Sequence, residues 1–189
     1  MQTNEPLLGY GPQGLALETS PWQTKASIDA AMLYRGAIIA GWGAVETNII
    51  EVAIRSSRHD AYLGIRETYP FKLKTRVAYL RDVLAAEGPL TPYAHLGCSI
   101  LDRYVGAAGL RNMMAHARMT VLPGWGATFY GFEGKGDAIT HYRERLTESR
   151  LAVLAQRSTR FARVVQSLMN RLDDIGIPTL EETFSPADA

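Results

Sequence analysis

Apolar residues recur from 28 to 52 at intervals of three, four or six positions: Ile28, Met32, Ile38, Trp42, Val45, Ile49 and Val52. At 3.6 residues per turn these steps return to one side, so the spacing predicts a long amphipathic helix running to about Ser57. Ser20 and Pro21 mark its start, a side-chain oxygen for the first free amides followed by a ring already set to the helical φ. Gly41 and Gly43 flank Trp42 and cost helix propensity, but their smallness lets a neighbouring helix approach closely. A polar connector leads to a second helix, Phe71 to about Ala86, with Leu73, Val77, Leu80 and Leu84 on one side. The stretch "EGPLTP" ends it, and Thr91 and Pro92 are expected to cap and open a third helix carrying Leu96, Ile100, Tyr104, Leu110, Met113 and Met114. Gly106 and Gly109 predict a kink in its middle. From Met119 the pattern changes to β-branched and aromatic residues with Pro-Gly and Gly-Lys-Gly turns, which predicts a small β-hairpin over 119–137. Thr147 caps a last helix, expected over 148–174, whose stripe is Leu151, Leu154, Phe161, Val165, Leu168 and Leu172 and which Gly176 and Pro178 end.

These elements add up to a mainly α fold, a bundle of about four main helices with a small β-hairpin inserted before the last. With 189 residues a single core can offset chain entropy. The expected domain covers 20–176, preceded by a flexible N-terminal arm at 1–19, broken by Pro6, Gly9, Gly11, Pro12 and Gly14, and followed by a C-terminal tail at 177–189. Hydrophobic residues at 47% and charged residues at 21% exclude a disordered or fibrous chain. The net charge of +1 neither demands nor excludes a nucleic-acid partner. A single cysteine, Cys98, excludes an intramolecular disulfide framework and suits a reducing compartment. The first twenty residues lack the basic and apolar regions of a secretory signal. The most apolar run, 36–45, is about half the length of a membrane span and is followed at once by Glu46. The expectation is a cytoplasmic protein with no membrane association.

The chemistry concentrates in residues 111–116, "RNMMAH". Asn112 and His116 stand four apart, one turn from each other on a single helix face. Arg111 is offset by about 100°, and its long side chain can swing toward the imidazole. An imidazole that moves a proton near neutral pH, a fixed cation for a phosphate and an amide to orient either are together suited to cleaving an RNA phosphodiester. The guanidinium would stabilise charge gathering on the phosphoryl oxygens. A plainer role competes: cations in a last helical turn offset the negative end of the macrodipole, which would account for His116 and Arg118 alone.

Other candidates are weaker. His59, His95, His141 and His116 show no close ligand spacing and Cys-x-x-Cys is absent, so no metal is expected. Arg55, Arg58, Arg66, Lys72, Lys74, Arg76 and Arg81 outnumber Asp60 and Glu67 in their stretch and form a candidate RNA-backbone track. "GFEGKGD" lacks the ending of a nucleotide-binding P-loop. Glu46 shares a helix region with Trp42 and is the candidate to orient Arg111 by a charge-assisted bond.

Arg111, Asn112, Ala115 and His116 resemble, position by position, the "RN..AH" form of the signature of the HEPN family, all-helical domains of which many are metal-independent endoribonucleases, toxins of toxin–antitoxin pairs or parts of antiviral systems. Trp42 and Glu46 are similar to residues of that family's early helix. The resemblance spans roughly 30–175. It implies a catalytic set of Arg111, Asn112 and His116 supported by Glu46, no cofactor and an RNA substrate, with Arg118, Arg55, Arg58, Lys72, Lys74 and Arg76 as weaker RNA contacts. It also implies a homodimer and an antitoxin or other partner protein. The alternative it leaves is an inactive HEPN-like RNA- or protein-binding homodimer. One toxin subgroup carries a tyrosine two residues after the histidine as a site of modification; Arg118 stands there in this chain.

Overall fold

In the computed structural model, which describes residues 9–10, 16–17, 21–66, 69–135 and 138–183, the first apolar repeat folds as one continuous helix, α1 (Pro21–Ser56). Ser20 lies outside the described residues. So does the expected N-terminal arm, apart from two short antiparallel strands, β1 (Gly9–Tyr10) and β2 (Ala16–Leu17). Helix α2 (Leu73–Ala85) follows, starting after Lys72. Thr91 does not cap the next helix. Its hydroxyl accepts from the Gly88 amide at 3.0 Å and donates to the Ala86 carbonyl at 3.3 Å, so it ties the turn that leaves α2. A single 3-10 turn, Thr91–Tyr93, then leads into α3 (Ala94–Gly106).

The expected kink is a full break: one residue, Ala107, separates α3 from a short helix, α4 (Ala108–His116). The expected hairpin is a three-stranded antiparallel meander, β3 (Arg118–Leu122), β4 (Gly126–Lys135) and β5 (Ala138–Thr147). The chain turns from β3 to β4 through Gly124 and Gly126, both at positive φ. A side chain at Gly126 would also collide with the Leu146 carbonyl oxygen, 2.1 Å from where its Cβ would sit. Thr147 caps α5 (Glu148–Met169) as expected, its hydroxyl accepting from the Arg150 amide at 3.2 Å. Helix α5 stops short of 174. Residues 173–175 form a 3-10 turn that ends at Gly176, with φ of 78°, and a last short helix, α6 (Leu180–Thr183), follows. The protein is thus mainly helical with one small antiparallel sheet.

The chain forms two compact units, Met1–Gly41 with Gly109–Thr159, and Trp42–Ala108 with Arg160–Ala189. In the first unit Ile38, Met114, Phe129 and Leu151 are fully buried. Gly41 brings α1 and α5 together there: a Cβ on it would lie 2.9 Å from the Ser158 backbone carbon. Gly43 is exposed with open space around it, so the close approach anticipated for both glycines belongs to Gly41.

In the second unit Trp42 packs against Phe161 with ring centroids 5.4 Å apart, and the Arg103 guanidinium lies 5.9 Å from the Phe161 centroid. The expected tail begins inside this core, since Ile177 is buried. Arg55, only 3% exposed, donates to the Pro178 carbonyl at 2.5 Å and the Ile177 carbonyl at 2.8 Å, and pairs with Glu51 and Asp173. A buried guanidinium needs this many acceptors, because each unmade bond leaves a desolvated donor.

Over Thr24–Ser56, α1 is long and apolar enough to cross a membrane, with 39% of its most apolar stretch buried in the protein. Counting only the uninterrupted run at 36–45 missed this, because a longer stretch with scattered charges also qualifies. The helix buries Asn48, Arg55 and Ser56 alongside Val45, Ile49 and Ala53, the mixed composition of a core-packed face.

Candidate functional site

Helix α4 gives Arg111, Asn112 and His116 regular helical geometry, so Asn112 and His116 share a face as their spacing requires. His116 is the last helical residue. Both Asn112 and His116 are exposed, Arg111 is half-buried, and the next residue on the opposite side, Met114, anchors the helix with no exposure at all. The motif therefore rides on a helix held from behind by an apolar side chain.

The carbonyls at the C-terminal end of α4 are taken by Arg35, half-buried on α1. Its Nε donates to the Met114 carbonyl at 2.6 Å, and one terminal nitrogen reaches the Ala117 carbonyl at 3.0 Å and the Ala115 carbonyl at 3.4 Å. This guanidinium fork does what a basic residue in the last turn would otherwise do, satisfying orphan carbonyls and offsetting the dipole. Among the described residues no hydrogen bond engages the His116 imidazole. Arg35 thus holds the carbonyls that a hydrogen-bonding cation in the last turn of α4 would otherwise serve.

Sequence reasoning missed Arg35, although a signal was present: between Asp29 and Glu46 it is the one charged residue, and a lone cation in an apolar run must find acceptors. A second signal is the charge of the segment itself. From Arg103 to Phe132 the chain has no acidic residue, so α4 and the strands after it form a stretch whose charges are all cationic.

The remaining predicted residues lie on other elements or in the connectors beside them. Arg118 opens β3 and is exposed. Arg58, Lys72 and Lys74 are exposed in the second unit. Arg55 and Arg76 are corrections to the candidate RNA track: Arg55 is spent on Glu51, Asp173 and two carbonyls, and Arg76, 7% exposed, donates to the Phe71 carbonyl. Neither guanidinium faces solvent, so neither can track a phosphate backbone. Glu46 is half-buried on α1 and belongs to the second unit, whereas Arg111 belongs to the first. Among the described residues no group of three or more His, Cys, Asp or Glu side chains is placed to hold a metal ion. The second unit has a partly open pocket of about 90 Å³ whose polar lining is limited to Asn48, Tyr93 and Arg171, which offers apolar space.

No family model, curated protein or solved structure matches the chain.

Proposed function

We propose that this protein is an HEPN-like, metal-independent endoribonuclease acting in the cytoplasm, a toxin or an antiviral defence component held in check by an antitoxin or other partner protein. The observation that carries this reading is the exposed His116 at the end of α4, with the carbonyls beside it already occupied by Arg35. An exposed imidazole is available for proton transfer near neutral pH.

In the proposed reaction His116 takes the proton of a ribose 2′-hydroxyl as that oxygen bonds to the adjacent phosphorus. The bond from phosphorus to the 5′-oxygen breaks, and that oxygen receives a proton, leaving a 2′,3′-cyclic phosphate and a free 5′-hydroxyl. Arg111 stabilises the charge gathering on the phosphoryl oxygens and Asn112 orients the phosphate or the imidazole. Pairing two copies across a two-fold axis supplies the second proton-transfer group, His116 of the partner subunit, on the far side of one phosphate.

The test is incubation of the purified protein with single-stranded RNA in the presence of a chelator, with analysis of the product ends. Cyclic phosphate termini are expected, and His116→Ala should slow the reaction by on the order of a hundredfold or more, with stability changed by less than about 0.5 kcal/mol because the residue is exposed. Loss of cleavage with chelator, restored by a divalent ion, would transfer the reaction to metal chemistry. Binding of RNA with no cleavage in any condition would favour the inactive HEPN-like binding homodimer.

A further inference from the structure

The strand that starts two residues beyond His116 builds a surface on which charge and aromatic area are sorted. Cross-strand partners in an antiparallel sheet point to the same side, and alternate residues along each strand share it. The register pairs Arg118 with Tyr130 and Tyr130 with Arg143, so one rung across all three strands reads arginine, tyrosine, arginine. The next rung pairs Phe132 with His141, and the preceding one pairs Thr120 with Thr128 and Thr128 with Arg145. This face therefore carries Arg118, Tyr130, Phe132, His141, Arg143 and Arg145, and no acidic residue occupies any of its register positions. The core side of the same sheet holds the buried Ala127, Phe129 and Leu146, and Glu144 stands at one of its positions.

Thr128 is buried at the centre of its rung and Tyr130 is half-buried, while the remaining charged and aromatic side chains of this face are arranged and uncovered. The Arg143 guanidinium lies 5.5 Å from the Tyr130 ring centroid, Tyr130 stacks on His141 at 6.3 Å with planes 29° apart, and Phe132 meets His141 edge to face at 5.4 Å. Phe132 is 75% exposed, and Arg118, His141, Arg143 and Arg145 are exposed as well. An exposed phenylalanine set among like charges gains nothing from the fold itself, and self-association across a two-fold would set the arginines of two copies against each other.

We propose that this face is a binding platform for single-stranded nucleic acid, with unpaired bases stacking on Phe132 and Tyr130 and phosphates held by Arg118, Arg143 and Arg145. Stacking is open to any base whose π-face is free, and arginines beside aromatic rings serve phosphate and base together. Rungs about 6.8 Å apart let an extended strand meet successive contacts. A duplex hides its base faces and can use the arginines alone. The identification of the strand as RNA rests on the proposed ribonuclease activity. The platform would deliver the strand to the segment carrying His116, in the same unit.

The experiment uses the full chain with His116→Ala, so that no turnover disturbs binding, and a labelled RNA of about 12 nucleotides followed by fluorescence anisotropy across a salt series. Phe132→Ala in that background should weaken binding about 5- to 140-fold, the effect of one lost stacking contact, with the salt slope unchanged. Phe132→Trp should bind as the parent does. Arg143→Gln should lower the magnitude of the salt slope by about 0.7, the value for one phosphate contact on a single strand. DNA of the same sequence bound as tightly would support the platform and show that it does not read the sugar. Phe132→Ala binding within twofold of the parent, or duplex RNA binding as tightly as the single strand, would overturn it, as would a change in oligomeric state on Phe132→Ala. Binding by the platform in a chain whose unsubstituted form never cleaves RNA would refute the ribonuclease reading alone. Cleavage by a chain whose RNA affinity ignores Phe132 and Arg143 would refute the platform alone.

Discussion

The Nε of Arg35 donates to the carbonyl oxygen of Met114 across 79 positions of sequence, at 2.6 Å. The same side chain reaches two further carbonyls at the end of α4. One residue of the first helix therefore holds the carbonyls around the last turn of the motif helix.

Replacing Arg35 should accordingly affect both stability and the candidate site. Arg35→Ala should cost about 1.5–3 kcal/mol, the range for hydrogen bonds to a charged group, measured by denaturant unfolding. It should also slow the proposed RNA cleavage, because the end of α4 loses a bonding partner. Arg35→Lys should restore only part of both, since an ammonium cannot serve three carbonyls in a fork. Unfolding unchanged in Arg35→Ala would show that the carbonyls do not need this partner.

The two glycines beside Trp42 should respond in opposite directions. Gly41→Ala places a methyl 2.9 Å from the Ser158 backbone and should destabilise by about 1–3 kcal/mol through overpacking. Gly43→Ala meets nothing within 4 Å and should stabilise by up to about 1 kcal/mol through helix propensity. Equal effects in thermal unfolding would contradict the close approach at Gly41.

Arg55 should behave as a structural clamp. Arg55→Ala is expected to cost about 3–5 kcal/mol, as for a broken buried pair, and Arg55→Met less, because it keeps the volume and removes the buried charge. Both variants, measured at a temperature where they are folded, should bind RNA as the parent does. An exposed phosphate contact would show the reverse pattern, weaker binding with little change in stability.

Tyr79 should make the fold sensitive to alkali. Burial is the main cause pushing its phenol up to about 12, with Tyr62 and Tyr69 adding to the shift. A phenol whose folded value is raised contributes stability that is complete below the ordinary value of 10.0 and is lost as pH climbs from there through about 12. Its hydroxyl has no hydrogen-bond partner among the described residues. Tyr79→Phe should therefore leave stability at neutral pH nearly unchanged and reduce the alkaline loss by on the order of 2 kcal/mol. Parallel alkaline unfolding curves for the two proteins would exclude Tyr79 as the source.

The limits of α1 and the cap at Thr147 were legible because both depend on local pattern, an apolar period and a hydroxyl at a helix start. Strand β5 was not: its run of Arg143, Glu144 and Arg145 reads as a solvated charged segment until pairing with β4 shows that Glu144 and the arginines lie on opposite faces. The spacing of Arg111, Asn112 and His116 could be read directly, since four residues make a helical turn. The part played by Arg35 could not, because it joins segments 79 positions apart. Linear charge density also misjudged Arg55, whose acceptors at Asp173, Ile177 and Pro178 lie more than a hundred residues downstream.

Both long helices belong to both units: the division falls after Gly41 within α1 and after Thr159 within α5. On a ribosome, where the N-terminal end emerges first, the first unit cannot finish its core until the strands and the first half of α5 have left the exit tunnel. The second must wait for the remainder of α5 and for the segment through Pro178 that holds Arg55. Neither unit can therefore complete its core before α5 emerges, and until then Gly41 and Trp42 of α1 lack their partners Ser158 and Phe161 in the nascent chain. That interval is when a chaperone has most to bind, and it ties the ripening of the candidate site to the emergence of α5.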